Sequence, residues 1–107
     1  MSENQLEKSR LELHEILCDC LGSREVHFQP PTNVKMTYPA IVYSRDNIGN
    51  TFADNKVYLQ SHAYKVIVMD KSPNSKIVAR VSLLPHCRFV QNYKLDNLNH
   101  DVFIINH

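Results

Sequence analysis

The run Tyr64-Lys65-Val66-Ile67-Val68-Met69 constrains this chain more than any other. Extended backbone sends successive side chains to opposite faces, so Tyr64, Val66 and Val68 share one face and Lys65, Ile67 and Met69 the other. Both faces turn apolar toward the end of the run. That is the pattern of a strand inside a sheet rather than at its rim. The tract is far shorter than the roughly 18 apolar residues that a membrane-crossing helix requires. A central strand over Ser61–Asp70 therefore needs neighbours on both sides and an apolar cover.

The rest of the chain supplies both. Ser2 and Gln5 have capping-box spacing. Leu6, Leu13, Ile16, Leu17, Cys20 and Leu21 then recur with helical period, and Gly22 offers a C-terminal stop. This predicts an amphipathic helix over Glu3–Leu21. Val26 and Phe28 suggest a short strand ended by Pro30-Pro31, and Tyr38–Tyr43 a second strand with Pro39 at its start. Ser44–Asn55 is rich in Asp, Asn and Gly, and reads as a long polar hairpin loop with Val57–Leu59 on its return side. Ser72 and Pro73 have the chemistry of a helix start, followed by Ile77, Val81 and Leu84 on one stripe with Val78 beside it, and Pro85 as a stop. Cys87, Phe89, Gln91 and Tyr93 alternate with Arg88, Val90 and Asn92 as in a strand. Asp96-Asn97 is turn chemistry, and Val102–Ile105 reads as the last strand. Without regular strand-helix-strand alternation, the expected fold class is α+β. It is a mostly antiparallel sheet with an N-terminal helix and a second helix packed on it, plus a long β-hairpin loop, in a single domain spanning 1–107.

The search for chemistry returns little. Lys and Arg total 12 against 11 Asp and Glu in 107 residues, a formal charge of +1. No basic patch points to nucleic acid or to an anionic membrane. The polar start, Met1-Ser2-Glu3-Asn4-Gln5, lacks the apolar core of a secretory signal, and a soluble intracellular product is expected. Cys18, Cys20 and Cys87 are odd in number, and the first two point apart on a helix, so reduced thiols fit better than a disulfide framework. Cys18 and Cys20 with His86 and Cys87 could offer four zinc ligands. The plainer reading puts both helical cysteines beside the core face. Asp46 and Asp54 have cation-binding chemistry but also serve as turn caps. No Ser-His-Asp set and no phosphate loop is present. The expectation is a non-enzyme with no cofactor and no metal.

What remains is suited to contact. The segment from Arg45 to Lys56 is long for a hairpin connection, which usually runs about 2 to 5 residues. It mixes Arg45, Asp46, Asp54 and Lys56 with Ile48 and Phe52, beside Asn55. An exposed Phe52 would need a partner to cover it, and a self-packed loop would tuck it inward.

The motifs Tyr38-Pro39-Ala40-Ile41-Val42-Tyr43, Ala53-Asp54-Asn55-Lys56-Val57-Tyr58, Tyr64-Lys65-Val66-Ile67-Val68, Arg88-Phe89 and Asp96-Asn97-Leu98-Asn99-His100-Asp101-Val102-Phe103 follow one another in this order. Together they resemble the small neck and tail-completion proteins of tailed bacteriophages, and the tail terminators most. The resemblance implies a homo-oligomeric ring, commonly a hexamer, that caps the tail tube and joins it to the head. It further implies the tail tube protein and neck, connector or head-completion proteins as partners. No membrane and no specific nucleic acid would be involved, with genome DNA passing through the ring of a virion assembled in the host cytoplasm. Carried onto this chain, Arg45, Asp46, Ile48, Phe52, Asp54, Asn55 and Lys56 would form the subunit interface. Asp96, Leu98, Asn99 and His100 would shape the turn before the last strand. A different neck component, such as a head-completion or connector protein, fits the same residues.

Overall fold

The computed structural model describes the backbone of residues 3–53 and 56–107, and the side chains of residues 7–46 and 63–107. Helix α1 (Glu3–Leu21) is followed by strands β1 (Val26–Phe28), β2 (Ala40–Ala53) and β3 (Lys56–Asp70). Helix α2 (Lys76–Ser82) and strands β4 (Cys87–Leu95) and β5 (Leu98–Asn106) complete the chain. The strands form one sheet in the order β1-β2-β3-β5-β4. Every neighbouring pair is antiparallel except β1 with β2. The fold is α+β, and β3 is paired on both sides as its two-faced apolar pattern requires.

Burial follows the period of each element. Leu13, Leu17, Cys20 and Leu21 of α1 lie against one sheet face made by Ile41 and Tyr43 of β2, Tyr64, Val66 and Val68 of β3, and Phe103 and Ile105 of β5. Gly22 ends α1 at φ +80°, donating its N–H to the Cys18 carbonyl at 2.8 Å. Glycine reaches that left-handed conformation without a Cβ clash. Arg80 of α2 then donates to the Cys20 carbonyl at 3.0 Å, satisfying one of the orphan acceptors at the end of α1 and joining the two helices. Asp96 and Asn97 both take positive φ, 53° and 62°, between the paired residues Leu95 and Leu98. Two such residues make the tight turn whose twist matches a hairpin.

Three details depart from the sequence expectations. Residues 44–53 are strand rather than loop, because β2 and β3 stay paired from Ala40–Met69 out to Ala53–Lys56. Polar side chains do not prevent a ladder that is made by the backbone. The second helix is capped by Ser75, whose hydroxyl accepts from the Ile77 N–H at 3.2 Å. Ser72 instead closes a turn, accepting from the Asn74 N–H at 3.2 Å. Finally, β4 does not alternate evenly. Its pairing with β5 shifts between Phe89 and Gln91, so Val90 is an inserted residue. Phe89 opposes Phe103 on the helix-covered face, and the insertion sends Tyr93 to the other face, opposite His100.

Two substitutions test this account by urea or thermal unfolding. Leu17 is fully buried, and Leu17→Ala is expected to cost about 2 to 5 kcal/mol through lost burial and a residual cavity. Asn97→Val places a β-branched side chain at positive φ and is expected to cost about 1 to 3 kcal/mol, with Asn97→Gly at least neutral.

Candidate interaction surfaces

The first surface is an arm. β3 pairs with β5 only from Ala63 to Asp70, and β1 reaches only residues 41–43 of β2. The ribbon made by residues 47–53 and 56–62 thus pairs with no further strand among the described residues. At about 3.3 Å per residue it extends roughly 20 Å beyond the sheet. A two-stranded ribbon by itself is marginal in water.

The residues expected at the subunit interface distribute along this arm. Arg45 stands at its root, half-buried, with its backbone N–H donating to the Gln29 side-chain oxygen at 3.1 Å. Asp46 is exposed and falls where the β2–β3 register shifts between Arg45 and Asn47. Ile48 and Phe52 are opposite His62 and Val57 in the ladder, and Lys56 is opposite Ala53. The side chains of Ile48, Phe52 and Lys56, and Asp54 and Asn55 altogether, lie outside the described residues.

The root of the arm is tied to α1 by a polar cluster that sequence reading missed. The Tyr43 hydroxyl lies 2.7 Å from His14 Nδ1, and Arg10 Nη1 donates to it at 3.3 Å. Since Arg10 can only donate, the hydroxyl accepts from Arg10 and is free to give its own proton to a neutral His14 ring. Arg10 is also held by Glu7 at 2.7 Å. The guanidiniums of Arg10 and Arg45 both approach the Phe28 ring, at 4.6 and 5.1 Å from its centroid. Cations gather at the negative face of an aromatic ring. The helical spacing of Arg10 and His14 places them on one side of α1, which was a usable signal. Their meeting with Tyr43 needed the sheet.

The second surface is β4. As the last strand of the sheet it has an edge that pairs with no other strand among the described residues, and every residue from Arg88 to Leu95 is exposed. Four of these are large and apolar: Phe89 (54% exposed), Val90 (43%), Tyr93 (37%) and Leu95 (56%). Nothing in the alternation of this segment distinguishes an edge from an interior strand.

A third feature is an apolar cleft of about 230 Å³ between α1 and the C-terminal end of β5, lined by Leu13, Ile16, Leu84, Pro85, Ile105 and His107 among others. Its lining holds no carboxylate or thiol side chain. The cysteines lie elsewhere and unpaired, with Cys18 and Cys20 in the core and Cys87 half-buried. Burial raises all three thiols above their ordinary range, which disfavours the reactive thiolate. Among the described residues no three His, Cys, Asp or Glu side chains gather as a metal site, and no helix is long and apolar enough to cross a membrane. The arrangement offers strand edges and apolar side chains to another molecule. No family model, no curated protein and no solved structure matches the chain.

Burial first, and then the charges of Arg24 and Arg10, hold the His14 imidazole below its ordinary range. The unfolded chain therefore binds a proton at His14 before the folded chain does. Stability is expected to be unaffected by this group above about pH 6.5 and to fall as the pH drops below that value. Urea unfolding between pH 7.5 and 5 should show the decline in the native protein and a shallower one in His14→Gln.

Proposed function

We propose that the chain is a structural subunit of a tailed-bacteriophage particle, a tail terminator whose copies close into a ring at the end of the tail tube. The observation that carries the reading is the β2–β3 arm. A ribbon that leaves the sheet and pairs with nothing further in its own chain, among the described residues, gains its stability from another molecule. A subunit with an arm on one side and an exposed strand edge on the other suits head-to-tail contacts, the kind that generate rings. The ordered motifs from Tyr38 to Phe103 that resemble neck and tail-completion proteins give the contact its setting. The work of the chain in this reading is contact rather than catalysis, with the tail tube and the neck or head-completion proteins above and below the ring.

Light scattering and electron microscopy of the purified chain test this directly. The expected result is a closed ring of uniform size, and labelled protein located at the head-proximal end of the tail tube in particles. A strict monomer that is absent from particles would end the reading, and a position elsewhere in the neck would replace the terminator with another neck component. Shortening the arm by deleting residues 46–54 is expected to preserve the circular dichroism spectrum and melting transition of the sheet while abolishing the ring. An intact ring from the shortened chain would count against the arm as the contact.

A further inference from the structure

We propose that the free edge of β4 is the seat for the arm of a second copy of this chain, so that the sheet of one subunit continues into the β2–β3 ribbon of the next. This deepens the ring reading and rests on it. A head-to-tail ring requires two different surfaces on each subunit that fit one another. The arm is one of them. Its partner must present unpaired backbone, and the sheet has two rims on which to find it: β1 and β4. β1 spans only Val26–Phe28, whereas β4 runs from Cys87 to Leu95, long enough to match residues 47–53 of the arm.

Charge chooses the occupant. The β4 segment carries Arg88 and Lys94 and no acidic residue. Residues 46–53, the outer part of β2, and the Asp54 that follows in sequence carry two acidic residues and no lysine or arginine, between Arg45 and Lys56. Opposite charges on adjoining strands stabilise their pairing and like charges oppose it. A bulge and cations are also the devices by which proteins keep exposed edges from pairing with any passing strand. Here Val90 is the bulge, and Arg88 and Lys94 are the cations. They discourage β4 from joining the β4 of another copy at the register centred on Gln91, where Arg88 would face Lys94. The same cations favour a strand bordered by acidic residues, as residues 47–53 are by Asp46 and Asp54 in the sequence. Phe89, Val90, Tyr93 and Leu95, exposed in the single chain, then become the apolar part of the contact. A strand edge supplies backbone hydrogen bonds, and side chains like these supply specificity.

The two halves can be separated and recombined. A chain lacking residues 46–54 keeps the seat and has no arm. A Val90→Lys, Leu95→Lys chain keeps the arm and has a blocked seat, and both substitutions fall on exposed side chains. Analytical ultracentrifugation should find each variant monomeric where the native chain forms rings. An equimolar mixture should give a 1:1 dimer that grows no further, since only one arm and one seat remain. Unimpaired rings from the Val90→Lys, Leu95→Lys chain would overturn the assignment of β4 and leave the ring reading standing. A native chain that never self-associates would instead overturn the ring reading. A second pair of variants does not depend on the deletion folding. Arg88→Glu with Lys94→Glu is expected to raise the concentration for half-assembly by roughly tenfold or more. Adding Asp46→Lys and Asp54→Lys to that chain is expected to recover most of the loss. Failure to recover, with the melting transition intact, would assign the arm to a different surface.

Discussion

The β2–β3 ladder is the interaction on which the rest of this protein depends. It runs without an intervening element from Ala40–Met69 to Ala53–Lys56. Its inner half supplies part of the face on which the helices pack, through Ile41, Tyr43, Val66 and Val68, and β5 pairs beside β3 in the same sheet. Its outer half leaves the domain. Backbone hydrogen bonds are indifferent to side-chain polarity, so one pair of strands can serve as core at one end and as an arm at the other.

Tyr43 marks the boundary. Its ring is fully buried between Phe28 and Tyr64, with centroids at 5.0 and 6.2 Å, while its hydroxyl meets His14 and Arg10 on α1. Two residues further along β2, Arg45 shares the Phe28 ring with Arg10. Tyr43 is thus tied to α1 directly, whereas Arg45, at the root of the arm, meets Arg10 of that helix only across the Phe28 ring of β1. A buried tyrosine hydroxyl left without partners would be costly, so this cluster fixes how the helix lies on the sheet.

Much of this was legible in the residues. The extent of α1, the central place of β3 and the Asp96-Asn97 turn follow from periodicity, two-faced apolarity and turn chemistry. The reading of 44–53 as a loop failed because Asp, Asn and Gly report only that a segment lies outside a core. A paired ribbon in solvent and a loop have the same composition. Ser72 and Ser75 both suit a helix cap, and the choice between them is made by where Ile77 and Val81 must sit to reach the core. The residues expected at a subunit interface fall along one arm in the ladder, save Asp54 and Asn55, which lie outside the described residues. The exposure of β4 is decided by strand order, which no local pattern encodes.

The one-residue insertion at Val90 has a consequence for that rim. In an unbroken strand Phe89 and Tyr93 would stand on the same side. With the insertion, Phe89 meets Phe103 beneath the helices, and Tyr93 lies flat on His100 across the sheet, rings 4.7 Å apart. The outermost strand therefore holds one aromatic ring above its plane and one below. A single added residue thus divides the aromatic side chains of this rim between the two faces of the sheet.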